Sequence, residues 1–485
     1  MAAGLFVALR LWRLTTYSLR PDEIFSLETA RLGWWDLLVR AARDIVHPPL
    51  FYALLKVWIA IGGESEAWLR LLPVVTAIAS VVPFAGLCRE LRLGPAATNL
   101  ALLLMAVNGY LIYYAQELRM YSLLVLATLT SLWTLARWLR VPLGDRTPLV
   151  ALVAANVLLA YTHYYGWLVV AVELGFVLGW SRHRLARFAL SIVPAVVCFA
   201  PWAFVTGRLV ARRGLEANIG SFPRPRLVED VGGYYARLSG PFGPGWATAL
   251  GLLVFVMPVV WWAWRVRRSA APEDRREART FWLLALVTFA PVVFLYVVSQ
   301  ALPQSIWGSR LLIFTAPAAI MLAAGAVSRL RPARVRAVVV TVLVVWACLA
   351  GGRELNASGK HAWAPLVAHM SRAEGAGSAG IPVYSFDSSD ETIAYYLRQR
   401  GDGRFRTRRV KQESQMEGEY FWVAVTGSRG RAVPRWLRDH GYEVGESVSD
   451  GFGATLFPAC RRSMTSRSTT PGSPSASSTP GDRCG

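Results

Sequence analysis

Apolar runs of about 20 residues recur along the first 352 residues of this 485-residue chain. A helix needs roughly 17 to 25 mostly apolar residues to cross a bilayer. By that measure the chain has eleven candidate spans, at residues 1–17, 68–88, 95–113, 120–139, 147–163, 164–181, 186–206, 246–264, 280–299, 310–328 and 335–352. The runs predict a mostly α, polytopic membrane protein, and a 54% hydrophobic composition agrees with that class.

The first 67 residues do not follow this pattern cleanly. Arg10 interrupts the first span early, so we expect the true start of the protein to lie upstream of Met1. A cleaved signal peptide is the alternative, although no small-residue cleavage site follows the apolar stretch. Residues 50–63 are too short to cross and predict an amphipathic helix at the interface.

Arginine-dense connections set the expected orientation. Short loops such as CRELRLGP, SRHRLARF and RLRPARVR are predicted to be cytoplasmic, because Lys and Arg accumulate in cytoplasmic loops. This bias accounts for much of the net charge of +21, so nucleic acid is not expected as a partner. An odd number of spans then sends everything after residue 352 to the outer side of the cytoplasmic membrane.

Composition divides the chain into three regions. Residues 1–352 form the predicted transmembrane domain, with a first outer loop at 18–67 that carries interfacial helices. Residues 353–459 alternate strand-like and helix-like stretches and predict a small extracytoplasmic α/β domain. Residues 460–485 are rich in Ser, Thr, Pro and Gly and predict disorder. The scattered cysteines form no disulfide framework or zinc spacing, although Cys460 and Cys484 could pair.

Polar motifs gather on one predicted face of the membrane. They are SLRPDEIF, IVHPPLFY, YYAQELRMY, YTHYYG and QSIWGSRLL. All five lie at outer ends of the spans, so we expect them to enclose one polar cavity, and ionisable groups at such positions are functional candidates. The candidate site residues are Asp22, Glu23, His47, Glu117, Arg119, Tyr121, His163, Tyr165 and Arg310.

Each motif alone also fits a structural role. Asp22 and Glu23 could be the cap and first-turn acid of a surface helix, since Pro-Asp-Glu is a good helix start. The remaining candidates could be a solvated loop pair (Glu117, Arg119), interfacial anchors (His47, His163) or a lipid-phosphate contact (Arg310).

An acidic pair beside arginines at a membrane surface suits sugar transfer from a lipid phosphate. One carboxylate can take the proton of an attacking hydroxyl. Arginines can bind the phosphate in bidentate fashion and stabilise the charge that develops on it. The outward location favours a lipid-linked donor over a cytosolic nucleotide sugar, and the sequence has neither a P-loop nor a dinucleotide glycine motif.

The order of the motifs resembles a known superfamily. PDE after the first span, then HPPLFYALLKVW, YYAQELRMYSLLVL and SRLLIFTAPAAIMLAAG, is similar to bacterial GT-C glycosyltransferases of the protein O-mannosyltransferase and lipid A aminoarabinose transferase superfamily (family 39-like). The likeness runs from residue 1 to about 352 and extends loosely into the C-terminal domain. It implies a polyprenyl-phosphate sugar as donor, inversion at the anomeric carbon, and an acceptor that could be protein, lipid or glycan.

The resemblance also implies residue roles. Asp22 matches the catalytic acid, as general base or acceptor-orienting carboxylate, with Glu23 supporting it. Arg119 and Arg310 occupy positions where such enzymes present cations to the donor phosphate. His47 stands where some relatives have a different polar residue, including a proposed metal ligand, so a divalent metal is possible and no cofactor is certain.

Two other classes of function remain open from the sequence. A transporter or flippase usually carries midplane sites on repeated halves, and no internal repeat is visible here. A membrane scaffold could bind a partner through the C-terminal domain. The long outer loop from Gly207 to Gly245 is expected to set specificity, because loops of that length are often functional lids.

Overall fold

The computed structural model describes residues 2–142, 145–213, 223–239, 245–268, 272–356, 360–374 and 379–462. The chain forms two compact units. The first consists of Met1–Leu14 with Ser26–Asn356, and the second of Thr15–Phe25 with Ala357–Gly485. The predicted disordered tail lies outside the described residues from position 463 onward, and so do residues 214–222 and 240–244 of the predicted specificity loop.

The described part of the chain up to residue 356 is helical. The α-helices are α1 Ala2–Leu11, α2 Pro21–Arg31, α3 Trp34–Asp44, α4 Leu50–Gly62, α5 Glu66–Ala79, α6 Val81–Glu90, α7 Pro95–Val107, α8 Gly109–Ala115, α9 Tyr121–Trp138, α10 Thr147–Thr162, α11 Gly166–Trp180, α12 Leu185–Arg213, α13 Gly233–Ser239, α14 Gly245–Arg268, α15 Pro272–Ala301, α16 Ala316–Ser328 and α17 Ala333–Asn356. Short 3₁₀ helices at Arg182–Arg184 and Ser309–Thr315 and a π-helix at Leu227–Gly232 complete it.

Five helical segments of the described residues are long and apolar enough to cross a membrane, or six if the bent pair α7 and α8 counts as one span. The prediction of a mostly α membrane fold is therefore confirmed, whereas the count of eleven spans is not. Helices α4, α10 and α11 are apolar but shorter than these spans. Residues 227–239 of the predicted specificity loop are also helical.

The most enclosed helix of the first unit is α16. In its span, Ser309–Ser328, 89% of the residues in the apolar window are buried. Alanine and glycine there let neighbouring helices approach closely. The α17 span is only 17% buried, and its exposed valines and leucines form a surface suited to lipid.

A break at Asn108 separates α7 from α8 and bends the pair by 55°. The break leaves the last carbonyls of α7 without helical partners. The buried Arg10 guanidinium donates to the carbonyl oxygens of Met105 and Ala106, each at 3.1 Å. Arg10, which interrupts the first apolar run, therefore joins α1 to the end of α7.

The second unit is built on a six-stranded mixed sheet in the order β2-β1-β3-β6-β4, with β5 also paired to β6. Its strands are β1 Ile381–Ser385, β2 Phe405–Arg409, β3 Tyr420–Thr426, β4 Tyr442–Val444, β5 Val448–Ser449 and β6 Ala454–Arg461, and its helices are α18 Trp363–Ala373, α19 Ser389–Gln399 and α20 Arg429–Asp439. The fully buried Phe421, Val423 and Phe457 lie at the centre of its core. The predicted small α/β domain is therefore present.

Residues 15–25, from the first loop, also belong to this second unit. The Leu19 amide donates to the Tyr396 hydroxyl at 2.8 Å, and the Thr392 hydroxyl donates to the Leu19 carbonyl at 3.3 Å. The Ser18 amide donates to the His361 carbonyl at 3.0 Å. These bonds hold the segment that leads into α2.

Candidate functional site

The acidic pair begins helix α2, and the structure gives its two members different surroundings. Glu23 is buried, and its Oε2 accepts from the backbone N–H of Arg20 at 2.9 Å. Glu23 is the third residue of α2, and its side chain reaches back to the N-cap residue Arg20, which forms one half of a capping box. Asp22 is half-buried. The predicted cap role therefore describes Glu23, and Asp22 is the more accessible carboxylate.

A second group of candidates lies in the helical unit, where Arg119, His47 and His163 form one buried cluster. The Arg119 guanidinium lies 3.3 Å from His47 Nδ1, and it donates to the Ser26 hydroxyl at 3.1 Å. The His47 and His163 rings meet edge to face, with centroids 5.3 Å apart. All three side chains are at most 4% exposed. We call these three residues the His–Arg cluster.

His163 has a defined hydrogen-bond state in this cluster. It follows the last residue of α10, and its Nδ1 accepts from the Tyr165 amide at 3.0 Å. In a neutral imidazole the other nitrogen then carries the proton. Burial first, and then the positive fields of His47, Arg119 and Arg310, disfavour a second proton on this ring. His163 is therefore neutral, and its Nε2–H has no hydrogen-bond acceptor among the described residues.

Arg310 approaches the same cluster from the short helix Ser309–Thr315. Its field acts on His163, and its side chain is half-buried. Tyrosines hold the backbone around it: the Tyr165 hydroxyl donates to the Ile306 carbonyl, and the Tyr110 hydroxyl donates to the Ser309 carbonyl at 2.5 Å. Tyr165, a predicted site residue, thus positions the arginine segment as well as His163.

The remaining candidates lie on the turn between α8 and α9. Glu117 is buried, and its carbonyl accepts from the Arg119 amide at 2.6 Å. The buried Tyr121 stacks edge to face on Tyr114, with ring centroids 4.8 Å apart. Gln116 donates to the Trp12 carbonyl at 2.8 Å, so this residue of the AQELR motif fastens the turn to the end of α1.

Sequence reasoning missed three residues of this region. Ser26 accepts a hydrogen bond from Arg119, and Asp44 Oδ2 lies 3.5 Å from His47 Nδ1. Tyr234 donates to the Leu312 carbonyl at 2.9 Å and so ties the predicted specificity loop to the arginine segment. Only Asp44 left a usable signal, since it precedes His47 by three residues at the end of α3.

Within the helical unit, the structure thus brings His47, Arg119, His163, Tyr165 and Arg310 together. Asp22 and Glu23 belong to the other unit. Among the described residues no group of three His, Cys, Asp or Glu side chains could hold a metal ion. His47 and Asp44 supply only two such ligands beside the Arg119 guanidinium, so the residues present do not fit a divalent metal and no step is assigned to one.

The fold has solved counterparts. ArnT from Cupriavidus metallidurans bound to undecaprenyl phosphate is 13% identical, with a TM-score of 0.57, covering 94% of this chain and 96% of that one. The same protein in the apo state is 15% identical with a TM-score of 0.55 and the same coverage. The Archaeoglobus fulgidus oligosaccharyltransferase tethered to an acceptor peptide is 12% identical, with a TM-score of 0.53, covering 94% of this chain and 73% of that one.

These likenesses show that the chain has the GT-C fold, and they confirm the predicted fold class. No protein-family model matches the sequence, and a search of curated proteins gives no significant match.

Proposed function

We propose that this integral membrane protein is a glycosyltransferase that moves a sugar from a polyprenyl-phosphate carrier to an acceptor on the extracytoplasmic side. The observation that carries the proposal is the His163 Nε2–H, a buried donor without an acceptor in the described chain, beside two arginines. An unsatisfied buried donor costs free energy, and a phosphate oxygen would supply the missing acceptor. The fold supports the same chemistry, because one solved counterpart is bound to undecaprenyl phosphate.

The arginines suit the leaving group of this reaction. When the bond between sugar and phosphate breaks, negative charge develops on the carrier phosphate. Arg119 and Arg310 present guanidinium groups, which match phosphate oxygens in geometry and charge. Burial strengthens the electrostatic effect of Arg119. Its fixed guanidinium would therefore stabilise the negative charge that develops on the phosphate in the transition state.

Asp22 is the proposed general base or acceptor-orienting carboxylate. The acceptor hydroxyl gives its proton to Asp22 while its oxygen attacks the anomeric carbon from the face opposite the phosphate, so the configuration inverts. The carbon–oxygen bond to phosphate breaks, and polyprenyl phosphate leaves with the electron pair. Asp22 lies in the first turn of α2 and is only half-buried, so its carboxylate can meet an acceptor hydroxyl, which supports this role.

The first test is transfer from a synthetic polyprenyl-phosphate sugar by purified full-length protein. We expect Asp22→Asn to lower kcat by roughly 10² to 10⁴-fold, the usual contribution of a general base. Asp36→Asn is the matched control, since Asp36 is an exposed acid in the first turn of the neighbouring helix α3. Undiminished transfer by a folded Asp22→Asn protein would remove Asp22 from the mechanism.

The phosphate contact is tested with two substitutions at one position. His163→Gln places an amide N–H near the former Nε2, whereas His163→Asn keeps an acceptor near Nδ1 and loses the Nε2 donor. A hydrogen bond to a charged group contributes about 1.5–3 kcal/mol, so His163→Asn should weaken donor binding roughly 10- to 150-fold. His163→Gln should retain more affinity. The reverse order would indicate that the Tyr165 contact, and not a phosphate contact, is the role of His163.

Mass spectrometry of lipid-linked sugars in cells separates the proposal from its alternatives. Loss of the gene and Asp22→Asn should both accumulate one polyprenyl-phosphate sugar and remove one residue from a glycoconjugate, which names the donor and the acceptor together. Carrier movement in proteoliposomes without covalent transfer would instead indicate a flippase. If the wild type gives transfer to a protein, lipid or glycan acceptor, the class of acceptor follows from the product.

A further inference from the structure

A polar cavity lies at the other ends of the helices that carry the candidate site. Helix α9 begins two residues after Arg119 and ends two residues before Arg140, and its 18 residues span roughly 27 Å. Helix α16 likewise separates Arg310 from Arg329. The cavity has a volume of about 460 Å³ and lies among the loops that the sequence assigns to the cytoplasmic face.

Charge is unevenly distributed around this cavity. Its lining includes five arginines, Arg92, Arg140, Arg276, Arg279 and Arg329, and two acids, Glu90 and Glu277. Each acid already has an arginine partner. Glu90 Oε2 lies 2.7 Å from Arg140, and Glu277 Oε1 lies 2.6 Å from Arg329. The cavity therefore holds three positive charges in excess.

Among the side chains that the structure describes, which leave out those of residues 272–274, these three excess charges have no carboxylate partner. Arg279 donates to the Ser181 hydroxyl at 3.3 Å. The side chains of Arg92 and Arg276 make no hydrogen bond or ion pair with the residues that the structure describes. Guanidinium groups that converge on a cavity without carboxylates suit a phosphate, which accepts several N–H bonds at once.

Arg92 also occupies a backbone position that does not favour an arginine. Its φ is +52°, in the left-handed region at the C-terminal end of α6, where glycine is the common residue. The chain therefore places a long cationic side chain at the cavity at some cost in backbone strain. This allows a substitution that removes the charge and relieves the strain together.

The rest of the lining is apolar. Leu91, Leu139, Phe176 and Leu283 line the same cavity. Phe176 stacks on Trp180 in α11, which is itself 39% exposed. A ligand that places a phosphate among the arginines can thus extend an apolar portion along α11. Basic pockets between membrane helices bind lipid head groups in this way.

We infer that this cavity binds the phosphate of an anionic phospholipid head group. The inference does not depend on the proposed glycosyl transfer, because it uses different residues at the opposite helix ends. The lipid then acts as a bound structural ligand that neutralises the excess charge between α6, α9 and α15.

The test is titration of the purified full-length protein with dioctanoyl phosphatidylglycerol, followed by native mass spectrometry. The variant is Arg92→Gly with Arg276→Gln, which removes no side-chain hydrogen bond among the described residues and keeps both ion pairs. Arg89→Gln with Arg137→Gln is the matched control, because both residues are exposed, lie in the last turns of α6 and α9 and do not line the cavity. We expect the variant to bind about 30-fold more weakly and the control to bind within about twofold of wild type.

Two further titrations identify the source of the phosphate. Dioctanoyl phosphatidylcholine should bind far more weakly than phosphatidylglycerol, and inorganic phosphate should compete only at much higher concentration. Inorganic phosphate that binds as tightly as the lipid, with the same loss in the variant, would overturn the lipid and assign the cavity to a soluble phosphate. Equal phosphatidylglycerol binding by wild type, variant and control would overturn the site.

Discussion

The hydrogen bond from the Leu19 amide to the Tyr396 hydroxyl gives a specific prediction about the segment that carries Asp22. Leu19 is fully buried, and the bond is 2.8 Å long. Tyr396→Phe keeps the ring but leaves a buried N–H without its acceptor, which costs about 1–3 kcal/mol. We expect the free energy of local opening of residues 15–25 to fall by that amount. Exchange protection there should therefore decrease roughly 5- to 140-fold.

The assay is hydrogen exchange of the full-length protein, read at amides other than that of Leu19. The Ser18 amide donates to the His361 carbonyl, and the Ile24 amide donates to the Arg20 carbonyl, so both report opening of the segment. Tyr384→Phe is the matched control, because its hydroxyl donates to the Glu417 carbonyl at 2.8 Å in the same unit.

The two variants should therefore lose exchange protection in different parts of the second unit, and not only by different amounts. Tyr396→Phe should lower protection selectively in residues 15–25, and it should also lower sugar transfer if Asp22 is the base. Tyr384→Phe should lower protection around β1 and residues 416–418. Equal loss across the whole unit in both variants, or no loss in Tyr396→Phe, would refute the idea that Tyr396 holds this segment.

Two further predictions concern stability. A Cβ at Gly351 would lie 2.3 Å from the Val107 carbonyl oxygen, whereas one at Gly352 meets nothing within 4 Å. Gly351→Ala should therefore lower the free energy of unfolding by an overpacking cost of about 1–3 kcal/mol and so lower the thermal midpoint. Gly352→Ala should leave the midpoint unchanged. Hydrogen bonds from Arg404 lower the pKa of Asp402 from its usual 3.8 to about 2, so the stability from this pair is complete above pH 3.8 and is lost as the pH falls through 2. Asp402→Asn should therefore lower the free energy of unfolding of the second unit at pH 7 and match wild type near pH 2. The measurement is denaturant unfolding, followed by the fluorescence of the tryptophans in the second unit.

The fold class was predictable because bilayer physics leaves a long-range signature in sequence. Runs of apolar residues and arginine-dense connections reveal membrane helices without any knowledge of packing. The count of spans was harder to predict, because a run does not show where its helix breaks. Residues 95–113 were predicted as one span, but Asn108 caps α8 by accepting from the Leu111 amide at 3.0 Å and so divides the run.

Individual polar residues were harder to assign than the motifs that contain them. Gln116 and Glu117 both stand in AQELR, yet Gln116 fastens α1 through a backbone carbonyl. Glu23 likewise caps its own helix. A hydrogen bond to a backbone carbonyl or amide has no sequence periodicity. The same reason explains why the place of residues 15–25 in the second unit was not visible, since it depends on single hydroxyl groups such as that of Tyr396.

The protonation state of His163 connects the fold to the proposed chemistry. If His163 were protonated, it would add a positive charge next to Arg119 and Arg310, and the cluster would repel itself before any substrate arrived. Burial and those same arginines disfavour that second proton, so His163 offers a neutral N–H donor instead. A phosphate bound there would accept a hydrogen bond from this N–H and offset the positive charge of the two arginines. In the proposed reaction, the neutral N–H of His163 and the guanidinium groups of Arg119 and Arg310 would stabilise the charge that develops on the carrier phosphate.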